Sequence, residues 1–401
     1  MKIAIDAMGG DNAPKAIVEG SIEAVKKIGV DVILFGDKQQ IEKCLNGFTK
    51  GIEIVHTTEV IDCNDDPALS VRRKKDSSIV VGMKAVAEGK ADAFVSAGST
   101  GAVISGATLI VKRIKGIRRV ALGTVLPTEK NPALALDCGA NADCTPEFLA
   151  QFAIMGSAYA KGVMGIKSPK IALFNNGVEE NKGCNLTKEA YQLLSQMNIN
   201  FYGNIEAKDI FSGDADVIVF DGFTGNAALK TVEGTAKYMG GLMKNMFKKN
   251  IFTKLCAIIL KSGIKDFKSK LNADEEGGAP VLGAEKVVIK AHGSSNSYAF
   301  YNAIRQAKKF AEASRQGWEW AIQNPEETLE IVMQYVQKEH IATNRVLQKL
   351  MLDEVLRLLK DRESGEYEFR LRPDMVEQAS SLMVDNGMLD RHITYEDLIY
   401  E

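Results

Sequence analysis

The chain has 401 residues, 45% hydrophobic and 25% charged, enough for one or two full cores. No apolar run is long enough to cross a membrane. Its six cysteines show neither C-x-x-C spacing nor paired histidines, so a zinc site is not expected and reduced thiols are. The formal charge of −2 conceals a split: residues 316–401 carry nine Lys/Arg against eighteen Asp/Glu, and residues 1–315 carry 41 against 34. That shift suggests two segments of different history.

The opening "MKIAIDAMGG" reads directly into a strand, with no basic leader and cleavage site, so a cytoplasmic protein is expected. "APKAIVEGSIEAVKKIG" follows as a helix with Pro14 near its first turn. "DVILFGD", "ADAFVSAG", "RVALGTVLP", "PALALDCG", "KIALFNNG", "ADVIVFDG" and "EKVVIKAHG" are further apolar runs bounded by glycine, most of them leading into helices. The rhythm predicts an α/β fold with a largely parallel sheet covered on both faces. Ligands in such folds gather at the carboxyl ends of strands.

Residues 237–270 break the rhythm with nine lysines and one acidic residue, Asp266. Met243, Phe247, Ile251, Leu255 and Ile259 recur at every fourth position beside Lys244, Lys248 and Lys249, a helical stripe. It suits a neighbouring subunit, an anionic membrane surface or a plain core-facing helix.

The loops after the strands share a grammar of glycine with Ser, Thr or Asn, then a helix. "SAGSTGA" presents Gly98, Ser99, Thr100 and Gly101; "DGFTGN" presents Asp221, Thr224, Gly225 and Asn226; "NNGVEENKG" holds Lys182; "KAHGSSN" holds His292 and Ser294. Helix starts of this kind attract anions, and each can equally be a simple cap. Lys182 could hold a phosphate or be a solvated lysine beside Glu179 and Glu180. Asn226 could steady an oxyanion or cap its helix, and His292 could be an acid–base group or a loop histidine. No P-loop, dinucleotide or nucleophile-elbow motif occurs, and four histidines, two of them in the tail, give little support to a Ser-His-Asp triad. Chemistry without a covalent enzyme nucleophile is expected, an anion itself attacking.

Together and in this order, "IAIDAMGGDNAP", "RRKKDSSIVVGM", "DAFVSAGSTGA", "LDCGANADCTPEFLAQFAIMG", "LFNNGVEENKG", "VFDGFTGNAALKTVEG" and "IKAHGSSN" resemble the PlsX family of bacterial phosphate acyltransferases, over residues 1 to about 310. The resemblance implies a three-layer fold similar to the isocitrate and isopropylmalate dehydrogenases and to phosphotransacetylases. It implies transfer of a fatty acyl group from acyl carrier protein to inorganic phosphate for phospholipid synthesis, with no cofactor and no metal. Lys182 and Asn226 match the residues implicated in catalysis. A homodimer is implied, with no nucleic-acid partner and with peripheral membrane contact through 237–270, where Phe247, Lys248, Lys249, Ile251 and Leu255 are the candidate contacts. The basic run Arg72 to Lys75 suits an acidic carrier. Ser99 stands where many relatives carry asparagine, and it keeps a donor and a cap. The alternatives are a phosphotransacetylase-like transferase of short acyl-CoA and a non-catalytic binding component.

The last 90 or so residues depart from that family. "GWEWAIQNPEE" and "RPDMVEQASSLMVDNGML" resemble the end of substrate-binding proteins for thiamine precursors and sulfonates. Asn324 is expected to cap and Pro325 to open a helix striped by Leu329, Val332, Met333 and Val336. The expected domains are therefore 1–310, the acyltransferase, and 311–401, a helical tail added by fusion between about Ile304 and Gln316.

Overall fold

A computed structural model describes residues 1–250, 277–338 and 345–358, with residues 252, 253, 260, 261, 263 and 381. Ile251 and Leu255 lie outside the described residues. In chain order the elements are β1 (Lys2–Asp6), α1 (Lys15–Ile28), β2 (Asp31–Gly36), α2 (Lys38–Leu45), β3 (Ile52–His56), α3 (Pro67–Arg73), α4 (Ser78–Ala87), β4 (Ala93–Ser96) and α5 (Thr100–Gly106). Then come β5 (Ala121–Leu126), β6 (Ala133–Leu136), α6 (Pro146–Gly162), β7 (Ile171–Phe174), α7 (Asn185–Ser195), β8 (Phe201–Ile205), β9 (Val217–Val219) and α8 (Gly222–Lys248). β10 (Gly278–Leu282), β11 (Val287–Ala291), α9 (Ser297–Gln323), α10 (Pro325–Lys338) and α11 (Arg345–Leu358) follow.

The strands form one sheet in the order β3-β2-β1-β4-β11-β10-β5-β6-β9-β7-β8. Neighbours are parallel except at β11–β10, β10–β5 and β5–β6. Three reversals in a row turn β6, β9, β7 and β8 against β1, β2, β3, β4 and β11. Each half of the sheet therefore has its own set of carboxyl-end loops.

Alternation along each strand divides the apolar residues between the two faces. In the first half Ile3, Ile5, Val95 and Ile289 pack with Ile17, Phe300 and Ile304 on one face. Ala4, Phe94 and Val288 pack with Ile79, Met83 and Val103 on the other. In the second half Leu134, Leu136, Ile171 and Val217 lie under Phe152 of α6 and Leu194 of α7. Ala135, Ala172 and Ile218 lie under Ala228 and Leu229 of α8. The sheet is thus covered on both faces, the three-layer arrangement that the apolar runs require.

By contact density the chain divides into Met1–Ala311 and Glu312–Glu401. In the second unit Arg345 of α11 pairs with Glu326 (3.6 Å) and Glu330 of α10, and Lys349 pairs with Glu326. These pairs are exposed and add little stability. Leu329 is buried, Val332 and Met333 are half-buried, and the side chain of Val336 is not described. Asn324 precedes α10, and its side-chain amide donates back to the Trp320 carbonyl at 2.8 Å.

The basic stretch begins as the outer part of α8: one helix runs from Gly222 through Lys237 to Lys248. Met243 and Phe247 are half-buried, whereas Lys244, Lys248 and Lys249 are exposed. Among the described residues no helix is long and apolar enough to cross a membrane.

Candidate active site

The first loop group gathers at the carboxyl ends of β1, β4 and β11. Asp6 is fully buried and receives the Ser96 Oγ–H at 2.6 Å and the Met8 N–H at 3.1 Å. Ser96 Oγ in turn accepts the Gly98 N–H at 2.9 Å, so one carboxylate fixes two loops. Burial raises the Asp6 pKa above its ordinary value, opposed by hydrogen bonds from Ser78, Ser96, Met8 and Gly9. The third loop joins through Asp11 N–H to the Gly293 carbonyl (2.8 Å) and Asn12 Nδ2 to the Ser294 and Ser295 carbonyls (3.1 and 3.2 Å).

This group brings Gly98, Ser99, Thr100, Gly101, His292 and Ser294 into neighbouring loops. Ser99 is buried at the cap position of α5, but its side chain makes no cap hydrogen bond; the capping expected of it is not realised. Thr100 is exposed, and Gly101 packs against Pro67. Exposed His292 accepts the Ser294 N–H at Nδ1 (3.3 Å), and Ser294 Oγ lies 2.9 Å from the same nitrogen. These two contacts at Nδ1 orient the ring.

The second group gathers at the carboxyl ends of β6, β7 and β9. Asp137, fully buried, accepts N–H bonds from Leu122 (2.8 Å), Ala140 (3.1 Å) and Asn141 (2.8 Å). Its pKa is raised by burial, and those bonds pull it back. The Asn141 carbonyl accepts the Gly222 N–H at 2.8 Å, which fixes the start of α8 against this loop. Asp221, not Asn226, is the cap: its Oδ1 accepts the Thr224 N–H at 2.9 Å. Asn226 lies one turn inside the helix, exposed, with its side chain about contact distance from Gly139. Relieved of capping, its amide is available to a ligand.

Lys182 comes from the neighbouring loop. Asn175 Nδ2 donates to the Lys182 carbonyl at 3.1 Å, and the Lys182 N–H reaches the Glu179 carbonyl at 3.1 Å. Its stem lies against Gly177, and the residue is exposed. β7 and β9 are adjacent, and Phe174 and Phe220, at the end of β7 and just after β9, stack with centroids 4.6 Å apart. Lys182 and Asn226 therefore stand on neighbouring loops. The glycine-rich loops thus form two groups, one on each half of the sheet.

Burial pushes the Cys138 thiol up to about 12 and Cys144 up to about 11, whereas exposed Cys184, two residues after Lys182, is lowered by the backbone hydrogen bond at Thr187. In the basic run, Lys74 is committed to Asp65 at 2.6 Å, while Arg72, Arg73 and Lys75 are exposed. Phe247, Lys248 and Lys249 lie at the far end of α8, away from its loop end.

Sequence reasoning missed Asp6, Ser96, Asp137 and Lys290. The first three each close an apolar strand with a polar residue, which resembles an ordinary strand end. The signal for Lys290 was available: "VVIKA" puts one lysine within a strand that is buried throughout.

Two groups of glycine-rich loops at the carboxyl ends of strands, on one sheet covered on both faces, define the class of fold. The fold matches a phosphotransacetylase from Streptococcus pyogenes (TM-score 0.53, 20% identity, 78% of this chain and 94% of that one). It matches EutD phosphotransacetylase from Staphylococcus aureus similarly (TM-score 0.50, 18% identity, 78% and 94%). The chain belongs to the fatty acid synthesis protein family, whose profile matches residues 1–316. It is 52% identical over 315 residues to the phosphate acyltransferase of Alkaliphilus oremlandii, covering 78% of this chain and 94% of the relative. The phosphate acyltransferase of Thermoanaerobacterium thermosaccharolyticum is 49% identical over 312 residues, covering 78% and 93%.

Proposed function

We propose that the protein transfers a fatty acyl group from acyl carrier protein to inorganic phosphate, giving an acyl phosphate for phospholipid synthesis. The chief support is the extent of the similarity to phosphate acyltransferases, which spans both loop groups. A phosphate oxygen attacks the thioester carbonyl carbon, and the carbonyl oxygen becomes an oxyanion. The C–S bond then breaks, the carrier leaves as a thiolate that takes up a proton, and the acyl phosphate departs.

In this reading the Lys182 ammonium offsets the charge of the incoming phosphate, and the Asn226 amide donates to the oxyanion. Asp221, Thr224 and Gly225 set the first turn of α8 that carries Asn226. Gly98, Ser99, Thr100, Gly101, His292 and Ser294 form the second set of substrate loops. A thioester is already reactive, so positioning and oxyanion stabilisation can supply most of the rate. Arg72, Arg73 and Lys75 offer an exposed basic patch to an acidic carrier.

The outer part of α8 is the surface for a second copy or an anionic membrane. Its exposed Tyr238, Met239, Leu242 and Met246, interleaved with lysines, support that role.

The test is to mix the protein with long-chain acyl carrier protein and phosphate and follow free carrier thiol. Phosphate-dependent release with formation of acyl phosphate is expected. Turnover of acetyl-CoA but not of the long-chain carrier would instead favour a short-chain transferase.

A further inference from the structure

Lys290 belongs to neither loop group, yet it stands where the sheet passes from one to the other. The register pairs Lys290 with Ser96 on one side and Ala279 on the other. Val95 pairs with Ile5, so Ser96 is level with Asp6, to which it bonds. On the far side Val281 pairs with Leu122, which brings Ala279 level with Thr124, and Thr124 pairs with Ala135. Paired residues point to the same face. One cross-strand row therefore reads Asp6, Ser96, Lys290, Ala279, Thr124, Ala135. Every member but the lysine is short.

That row lies between two covering layers. α4 and α5 pack on Phe94 and Val288 on the same face, and α8 packs on Ala135. The row is a line of small side chains with one lysine in its middle, whose ammonium donates to the Ala291 carbonyl.

Lys290 is only 8% exposed, and among the described residues its ammonium has one hydrogen-bond partner, the Ala291 carbonyl. An ammonium has three donors, and a buried charge with donors unspent is costly. Burial pushes its pKa down to about 8. The groups that bear on its charge come from both sides: Asp6, Asp11 and Cys63 favour the ammonium, and Lys230 of α8 opposes it. Lys230 is one turn beyond Asn226 on the same helix face. Asp6 forms no ion pair with Lys290 among the described residues, and its oxygens receive Ser96 and Met8.

We infer that Lys290 is an anion-binding residue on the floor of the site, holding an oxygen of the orthophosphate while another attacks the thioester. This inference rests on the phosphate acyltransferase reading given above. A phosphate oxygen spends the idle donors and offsets the buried charge. It also gives the two lysines different tasks, with exposed Lys182 meeting the anion at the surface and Lys290 fixing it at depth. A purely structural lysine would need only its bond to Ala291 and would not sense phosphate.

The experiment compares the full-length parent with Lys290→Met, which keeps the stem and removes the charge, and Lys290→Arg, which restores it. Binding of inorganic phosphate alone is read by calorimetry, and KM for phosphate and for acyl carrier protein by thiol release. Loss of a charged hydrogen bond should weaken phosphate binding in Lys290→Met by about tenfold or more. The carrier KM should stay unchanged, and Lys290→Arg should recover part of the loss. Unchanged phosphate affinity in a folded Lys290→Met protein overturns the inference. Should that variant not fold, labelling of the parent with an amine-reactive reagent decides: phosphate protects Lys290 if the inference holds, and lack of protection overturns it. The parent's own turnover separates the two levels, since a parent with no phosphate-dependent thiol release overturns the functional reading and this inference with it.

Discussion

The backbone of Gly225 in α8 lies so close to Asp137 that a Cβ at Gly225 would sit 1.9 Å from the Asp137 carbonyl oxygen. This contact lets the first turn of α8 dock on the loop after β6, and it sets where Asn226 stands. Gly225→Ala must push the helix away, at a cost of about 1–3 kcal/mol for overpacking. Gly234→Ala, in the same helix with nothing within 4 Å, should instead stabilise by up to about 1 kcal/mol. Urea denaturation of the two variants checks this, and equal effects would refute the docking argument.

Lys182 and Asn226 are both exposed and support little of the packing. Alanine at either position should leave the thermal midpoint nearly unchanged. Asn226→Ala should lower kcat by about a hundredfold or more, as removal of an oxyanion donor does. Lys182→Ala should act mainly through the phosphate KM. Wild-type kinetics in either variant would remove that residue from the site.

Lys290 makes stability depend on pH in a defined direction. Its folded pKa of about 8 lies below the ordinary 10.5. Below about pH 8 both states hold the proton, and the penalty of burying the charge is fully present. Between 8 and 10.5 the unfolded chain keeps a proton that the folded chain has released, so stability from this residue rises with pH. The full effect is on the order of 3 kcal/mol. Lys290→Met should be more stable than the parent at pH 7, with the gap closing by pH 10. Asp6, Asp11, Cys63 and Lys230 remain in both proteins, so the difference reports Lys290. Parallel stability curves would contradict the assignment.

The outer face of α8 should be separable from the chemistry. Leu242→Asp with Met246→Asp places charge on exposed apolar positions far from the helix start. Co-sedimentation with anionic phospholipid vesicles should fall, while turnover of a soluble acyl carrier substrate stays within about twofold, as surface changes distant from a site usually leave it. Vesicle binding that survives both changes would place the contact elsewhere.

Much of this was legible in the chain. The eight apolar runs named from the sequence are all strands, because strands buried on both faces leave continuous hydrophobic stretches. The three that escaped have physical reasons. β3 and β8 are the two edges of the sheet, with mixed burial that dilutes the pattern. β10, "GAPVL", carries Gly278 and Pro280, which read as a turn. The loop grammar located the glycine-rich loops that follow the strands, but their division into two groups follows from three antiparallel steps in mid-sheet, which no local pattern reveals. Lys290 stood out along the chain as the one lysine of a buried strand, but the row it belongs to crosses six strands and is not visible there.

The most direct test of the central claim is carrier thiol release from long-chain acyl carrier protein, with and without phosphate, for the full chain and for a chain ending at Arg315. The account predicts release only with phosphate, stoichiometric acyl phosphate, and activity that survives loss of the tail. A folded protein that frees no thiol in response to phosphate, in either length, would contradict it.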